Sequence, residues 1–223
     1  MQQTLIDNLE RINNNIYNAC KATGRSISNI KILAATKTVS SDIINLLPGN
    51  GITLAGENRV QEFITKVDAV KNIEWHFIGS LQTNKVKNII DKVSLIHSVD
   101  RVSLVDEIQK QSLKIGKVSK VLIEINAGEE DSKSGVGFDG VAQLYDYVTN
   151  QANVQAVGFM PVLPINASEH LYKKSQDIFE QYKKTDKNID ALSMGMSDDY
   201  CLAIKHGATI VRLGSCLFGA RKY

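Results

Sequence analysis

A lysine closes the first apolar run of this sequence, Ile32-Leu33-Ala34-Ala35-Thr36-Lys37-Thr38. Read as a strand, the run alternates, with Leu33, Ala35 and Lys37 on one face and Ile32, Ala34 and Thr36 on the other. An amine at such a position has two readings. It is either a head group snorkelling to the surface, or a partly desolvated nucleophile whose lowered pKa frees a lone pair to attack a carbonyl. A second cation, Arg212, lies in Val211-Arg212-Leu213-Gly214-Ser215 and shares a face with Ile210 and Gly214. A guanidinium in a strand needs a partner. A surface salt bridge is one, and a ligand ring nitrogen, which the fixed cation would keep unprotonated, is the other. Gly195 and Gly214 let backbone approach a ligand. Ser197 and Ser215 offer hydroxyls at two expected helix starts, where free N–H groups attract an anion. Asp198 and Asp199 would repel a phosphate, which places that anion nearer Gly214 and Ser215, with Ser197 reaching it.

These groups need a frame that gathers them. Residues 2–22 read as an amphipathic helix with Leu5, Leu9, Ile12, Ile16 and Cys20 on one stripe. Apolar strands then begin near Lys31, Ile52, Trp75, Val93, Val118, Val154, Ala191 and Thr209. Helices are expected over 41–47, 58–71, 83–91, 101–115, 139–150, 167–184 and 197–206, and from Ser215. Asp139 and Ser197 are the expected caps of two of them, and Gly207 an expected stop. Eight short strands, apolar on both faces and each followed by a helix, predict a single α/β domain over 1–223, a (β/α)8 TIM-type barrel with an extra N-terminal helix. An open doubly wound sheet would carry a glycine-rich turn after the first strand; this turn reads Lys37-Thr38-Val39-Ser40-Ser41. In such a barrel, working groups sit at the C-terminal strand ends and phosphates bind after strands seven and eight.

Composition narrows the function classes. The formal charge is +2, which offers no field for nucleic acid or an anionic membrane. No apolar run is long enough to span a bilayer. The polar, acidic start MQQTLIDNLE and three cysteines without metal spacing (Cys20, Cys201, Cys216) read as a cytoplasmic protein with reduced, inert thiols. No His/Cys/Asp/Glu cluster has metal spacing, and His76 and His97 read as satisfied core histidines.

The segments AATKT, AGENRVQE, WHFIGSLQTNK, IHSVDR, SKSGVG, LSMGMSDD and VRLGSCLFGAR resemble, in order along nearly the whole chain, the pyridoxal phosphate homeostasis proteins. The resemblance implies a barrel like the N-terminal domain of alanine racemase. It implies pyridoxal 5′-phosphate held as a Schiff base on Lys37, Arg212 at the pyridine nitrogen, and Ser197, Gly214 and Ser215 around the phosphate. Asn58 and Met194 would lie near the ring, and Lys133 of SKSG would offer a secondary contact or aid transfer. The chain departs from the family at Ser215, often threonine there, at Thr36, often serine, and in Gly158–Pro164, where Pro161 and Pro164 restrict a loop that usually has no proline pair.

The implied function is cofactor buffering and delivery to apoenzymes by a monomer, without robust turnover. A racemase of related fold takes its second acid/base group from an added β domain and a partner subunit, and a cation at the ring nitrogen weakens the electron sink. Two alternatives stay open: a small amino-acid racemase or lyase with a base inside the barrel, Lys133 or His76, and a cofactor-free aldolase in which Lys37 captures a phosphorylated sugar.

Overall fold

A computed structural model describes residues 2–130 and 133–219. Helix α1 (Gln2–Thr23) turns Leu5, Leu9, Ile12, Ile16, Ala19 and Cys20 into the core, as its stripe requires. Eight parallel strands follow: β1 (Lys31–Ala35), β2 (Leu54–Glu57), β3 (Glu74–Phe77), β4 (Leu95–Val99), β5 (Ser119–Asn126), β6 (Val154–Val162), β7 (Ala191–Leu192) and β8 (Ile210–Leu213). They pair in the order β7-β6-β5-β4-β3-β2-β1-β8. The ring closes where Ser193 bridges Ile210, with Thr209 N–H donating to Leu192 O at 2.9 Å and Arg212 N–H to Gly195 O at 3.0 Å.

Helices cover the outside: α2 (Ser41–Ile44), α3 (Val60–Lys66), α4 (Val102–Lys114), α5 (Val141–Thr149), α6 (Glu169–Thr185), α7 (Tyr200–Lys205) and α8 (Ser215–Phe218). α1 packs on α7 and α8 at the closing seam, where Asn8 Nδ2 donates to Leu217 O at 3.0 Å and Asn15 Nδ2 to the Tyr200 hydroxyl at 2.8 Å. Alternation splits the apolar residues into two cores. Leu33, Leu54, Leu95, Leu122, Val157, Met160, Ala191 and Ile210 plug the inside; Ala34, Ala55, Phe77, Ile96 and Val211 join the larger core under the helices. The plug makes the barrel a solid platform beneath an open C-terminal mouth.

Some helices differ from the expected ones in type or extent. Residues 83–88 form a 3₁₀ turn rather than an α-helix. α3 ends at Lys66, short of residue 71. Asp139 caps nothing, because it lies inside a 3₁₀ turn, Phe138–Gly140, and α5 begins after Gly140. Ser197 does not cap α7, which starts at Tyr200 after Asp199. Gly207 does stop it, at φ +87°. No helix among the described residues is long and apolar enough to cross a membrane.

Candidate functional site

A cavity of about 400 Å³ opens at the C-terminal ends of the strands, a volume suited to one small ligand. Lys37, Asn58, Ser197, Arg212, Gly214 and Ser215 all line it. Lys37 is half-buried one turn beyond β1, on the face with Leu33 of the inner plug and Ala35 of the wall. Arg212 pairs in register with Leu33, so it enters from beneath the rim. Its guanidinium is buried, and Nη1 donates to Ser193 O at 2.5 Å and to Ser193 Oγ at 3.0 Å. Burial brings its pKa down to about 10, against the opposing fields of Asp199 and Glu124; the group stays a cation at neutral pH.

Ser193 continues a buried chain. His97 Nδ1 lies 3.0 Å from Ser193 Oγ, His97 Nε2 lies 2.9 Å from His76 Nδ1, and His76 Nε2 lies 3.3 Å from Glu74 Oε1. Burial, with the charges of His76 and Arg212, holds His97 neutral. The hydrogen bond from His76 leads the causes that bring Glu74 down to about 2. Both histidines are therefore satisfied core residues, and they end on the hydroxyl that fixes Arg212.

The loops after β7 and β8 meet through Ser197. Its Oγ accepts from Gly214 N–H and from Cys216 N–H, each at 3.2 Å. A Cβ on Gly214 would come no nearer than 3.7 Å to Ala35, so packing leaves that wall open, while the two backbone donors beside it are taken by Ser197. Gly195 does a different job. It has φ +92°, and a Cβ there would strike Ala203 Cβ at 2.6 Å, so this glycine serves the packing of α7. Asp198 lines the cavity, whereas Asp199 is spent on Met196 N–H at 2.6 Å and the Tyr172 hydroxyl at 2.6 Å.

Two expected residues are not on the wall. Met194 is fully buried in the outer core: Ser193 faces inward, so alternation sends the next side chain outward. Met196 takes the place on the wall. Lys133 lies outside the cavity lining and donates to Glu130 Oε1 at 2.8 Å and Leu163 O at 3.3 Å.

The sequence reading passed over Glu124. It is one acid in the apolar run Val121–Ile125, on the alternating face of Leu122 from the inner plug, and that lone acid was the available signal. It lines the cavity, and its Oε2 is buried without a hydrogen-bond partner among the described residues, as is Asn58 Oδ1. Burial and the charge of Asp100 raise its pKa to about 7, with Arg212 and Arg101 pulling the other way. An amine, a fixed cation, two serine hydroxyls and two unpartnered oxygens thus face one space. Those residue types fit a phosphorylated aromatic aldehyde: carbonyl capture by the amine, anion contacts at Ser197, Gly214 and Ser215, and a ring polar atom at the guanidinium.

A family model described as alanine racemase, N-terminal domain, matches residues 8–222. The chain is 42% identical over 224 residues to a pyridoxal phosphate homeostasis protein of Aquifex aeolicus (strain VF5), covering 97% of this chain and 98% of that protein. It is 33% identical to the protein of that name in Escherichia coli (strain K12), covering 97% and 96%. Among solved structures it resembles PipY of Synechococcus elongatus PCC7942 with PLP bound, at 26% identity and a TM-score of 0.77, covering 92% of this chain and 100% of that one.

Proposed function

The chain belongs to the pyridoxal phosphate homeostasis proteins, within the alanine racemase N-terminal domain family, and from that premise we propose that it binds pyridoxal 5′-phosphate reversibly in the mouth cavity and serves intracellular cofactor buffering and delivery. The observation that carries the reading is the convergence of Lys37, Arg212, Ser197, Gly214, Ser215 and Asn58 on one cavity at the strand ends. The cofactor supplies an aldehyde open to amine capture and a ring that can accept electrons. Lys37 Nζ holds the aldehyde carbon covalently. Ser197 and Ser215 would hold the phosphate by their hydroxyls, beside the open backbone wall at Gly214. Arg212, pinned by Ser193, offers the ring nitrogen a cation with no proton to give at neutral pH, which keeps that nitrogen neutral and the ring a weak electron sink. Amino-acid turnover is accordingly slow, and transfer to cytoplasmic apoenzymes by a monomeric carrier is the role that remains.

The test is an intact-mass measurement after mixing with the cofactor and reducing with borohydride. The expected result is one cofactor mass located on the peptide bearing Lys37 and absent from Lys37→Ala. A mass gain that persists in that variant would assign capture to another lysine and defeat the reading.

A second reading, a weak amino-acid racemase or lyase, is favoured by Glu124, a buried carboxyl in the same cavity whose pKa of about 7 suits an acid/base group. It predicts α-proton exchange of amino acids into deuterated water that disappears in Glu124→Gln; the carrier reading predicts exchange at the uncatalysed cofactor rate in both.

A further inference from the structure

Both peptide groups that flank the Cα of Lys37 are tied to one buried ion cluster, and we propose that Lys66, Glu57 and Glu62 are positioning residues that aim the Lys37 amine for aldehyde capture. The inference rests on the cofactor reading above and concerns how the amine is presented.

Lys37 is the second residue of a tight turn, closed by Val39 N–H donating to Thr36 O at 2.9 Å. The third residue, Thr38, has φ +65°. That slot ordinarily takes glycine or asparagine, and a β-branched side chain is strained there. The surrounding structure must hold it. On the side before Lys37, the Thr36 hydroxyl donates to Glu57 Oε1 at 2.8 Å and Lys66 Nζ donates to Thr36 O at 2.9 Å. On the side after it, Thr38 N–H donates to Glu62 Oε2 at 2.9 Å. Lys66 joins the two sides, with Nζ 2.6 Å from Glu57 Oε1 and 3.1 Å from Glu62 Oε2. An ammonium has three protons, and these three acceptors use all of them.

The consequence is geometric. With the peptide planes before and after Lys37 both pinned, its backbone dihedrals are set, and so is the direction in which Cβ leaves toward the cavity. A glycine at position 38 would adopt the turn without help. Instead the chain keeps threonine and buries Glu57 and Lys66 (0% and 8% exposed), an arrangement whose desolvation brings little net stability. Orientation of the nucleophile is what this arrangement secures, and orientation speeds a bimolecular capture.

The test compares two ligands on the full chain stripped of cofactor. Pyridoxal 5′-phosphate reports capture, as the rate of borohydride-trapped mass gain. Pyridoxamine 5′-phosphate, which has no aldehyde, reports the cavity alone. Glu62 is at the cluster's outer edge, so Glu62→Ala is the variant least prone to misfold. It should slow capture by about tenfold, while pyridoxamine phosphate affinity stays within about twofold. Adding Thr38→Gly to Glu62→Ala should restore capture to within about threefold of wild type, because glycine accepts the left-handed turn unaided. Wild-type capture by Glu62→Ala, equal loss of both ligands, or no rescue by the glycine overturns the positioning role. No capture by the wild-type chain, with or without pyridoxamine phosphate binding, overturns the cofactor reading and this inference with it, and is distinct from those results.

Discussion

Glu57 and Asn58 are neighbours in the chain and belong to two kinds of buried polarity. Glu57 turns outward from the barrel into the cluster behind Lys37, where one oxygen receives both Lys66 and Thr36. Asn58 turns into the mouth, where its Oδ1 has no partner among the described residues and Glu124 Oε2 shares that condition. The outward cluster is closed by protein groups, apart from Glu57 Oε2. The inward set is built from the same residue types and left open. Buried polar groups without protein partners are disfavoured unless something else meets them, so the open set marks the ligand space and the closed one marks the frame that serves it.

The sharpest way to break this contrast is to remove the cation of the closed cluster. Lys66→Met leaves Glu57, 0% exposed, as an uncompensated buried charge, and should destabilise the fold by about 3–5 kcal/mol. Pairing it with Glu57→Gln should recover most of that loss, since no charge is then stranded. Urea unfolding at neutral pH measures both. A loss below about 1 kcal/mol in the single variant would show that water reaches the cluster and that it is not the closed frame described.

Much of this frame was legible in the chain, and the parts that were not share a cause. Strand starts were read to within two residues because parallel strands buried on both faces stand out as apolar runs between polar turns. Lys37 and Arg212 were readable as cations within such runs. Ser197 was readable as a hydroxyl at a turn, but its use was not. It serves the backbone of Gly214 and Cys216, seventeen and nineteen residues away, and no local capping pattern carries that information. Met194 was placed near the ring by the family resemblance; the inward turn of Ser193 decides the matter, and that depends on the Arg212 and His97 contacts across the barrel. The closed cluster draws on β1, β2 and α3, and nothing in the local pattern of any one segment links its members. Contacts between distant segments are what periodicity does not encode.

The pH dependence of stability should separate the two sets by sign, with a smaller effect than the lysine deletion. Glu62 sits below the ordinary carboxylate range, chiefly because it accepts Thr38 N–H, with Lys66 adding to the effect. A depressed folded pKa contributes stability above the unfolded value that is lost as pH falls through the folded one. Glu124 runs the other way. Its folded pKa of about 7 lies above the ordinary 4.5, so between those values the folded chain holds a proton that the unfolded chain has released. Folding is then progressively disfavoured as pH rises across that window, by on the order of 3 kcal/mol in total, and stays level above it. In the cofactor-free chain, urea midpoints between pH 5 and pH 8 should therefore fall for wild type and flatten for Glu124→Gln, while Glu62→Ala should keep the fall and lie below wild type by a constant amount across that range, the gap closing only at more acid pH. A Glu124→Gln variant that retains the full wild-type slope would mean another group in the mouth carries the proton, and the carboxyl that faces the ligand space is already ionised.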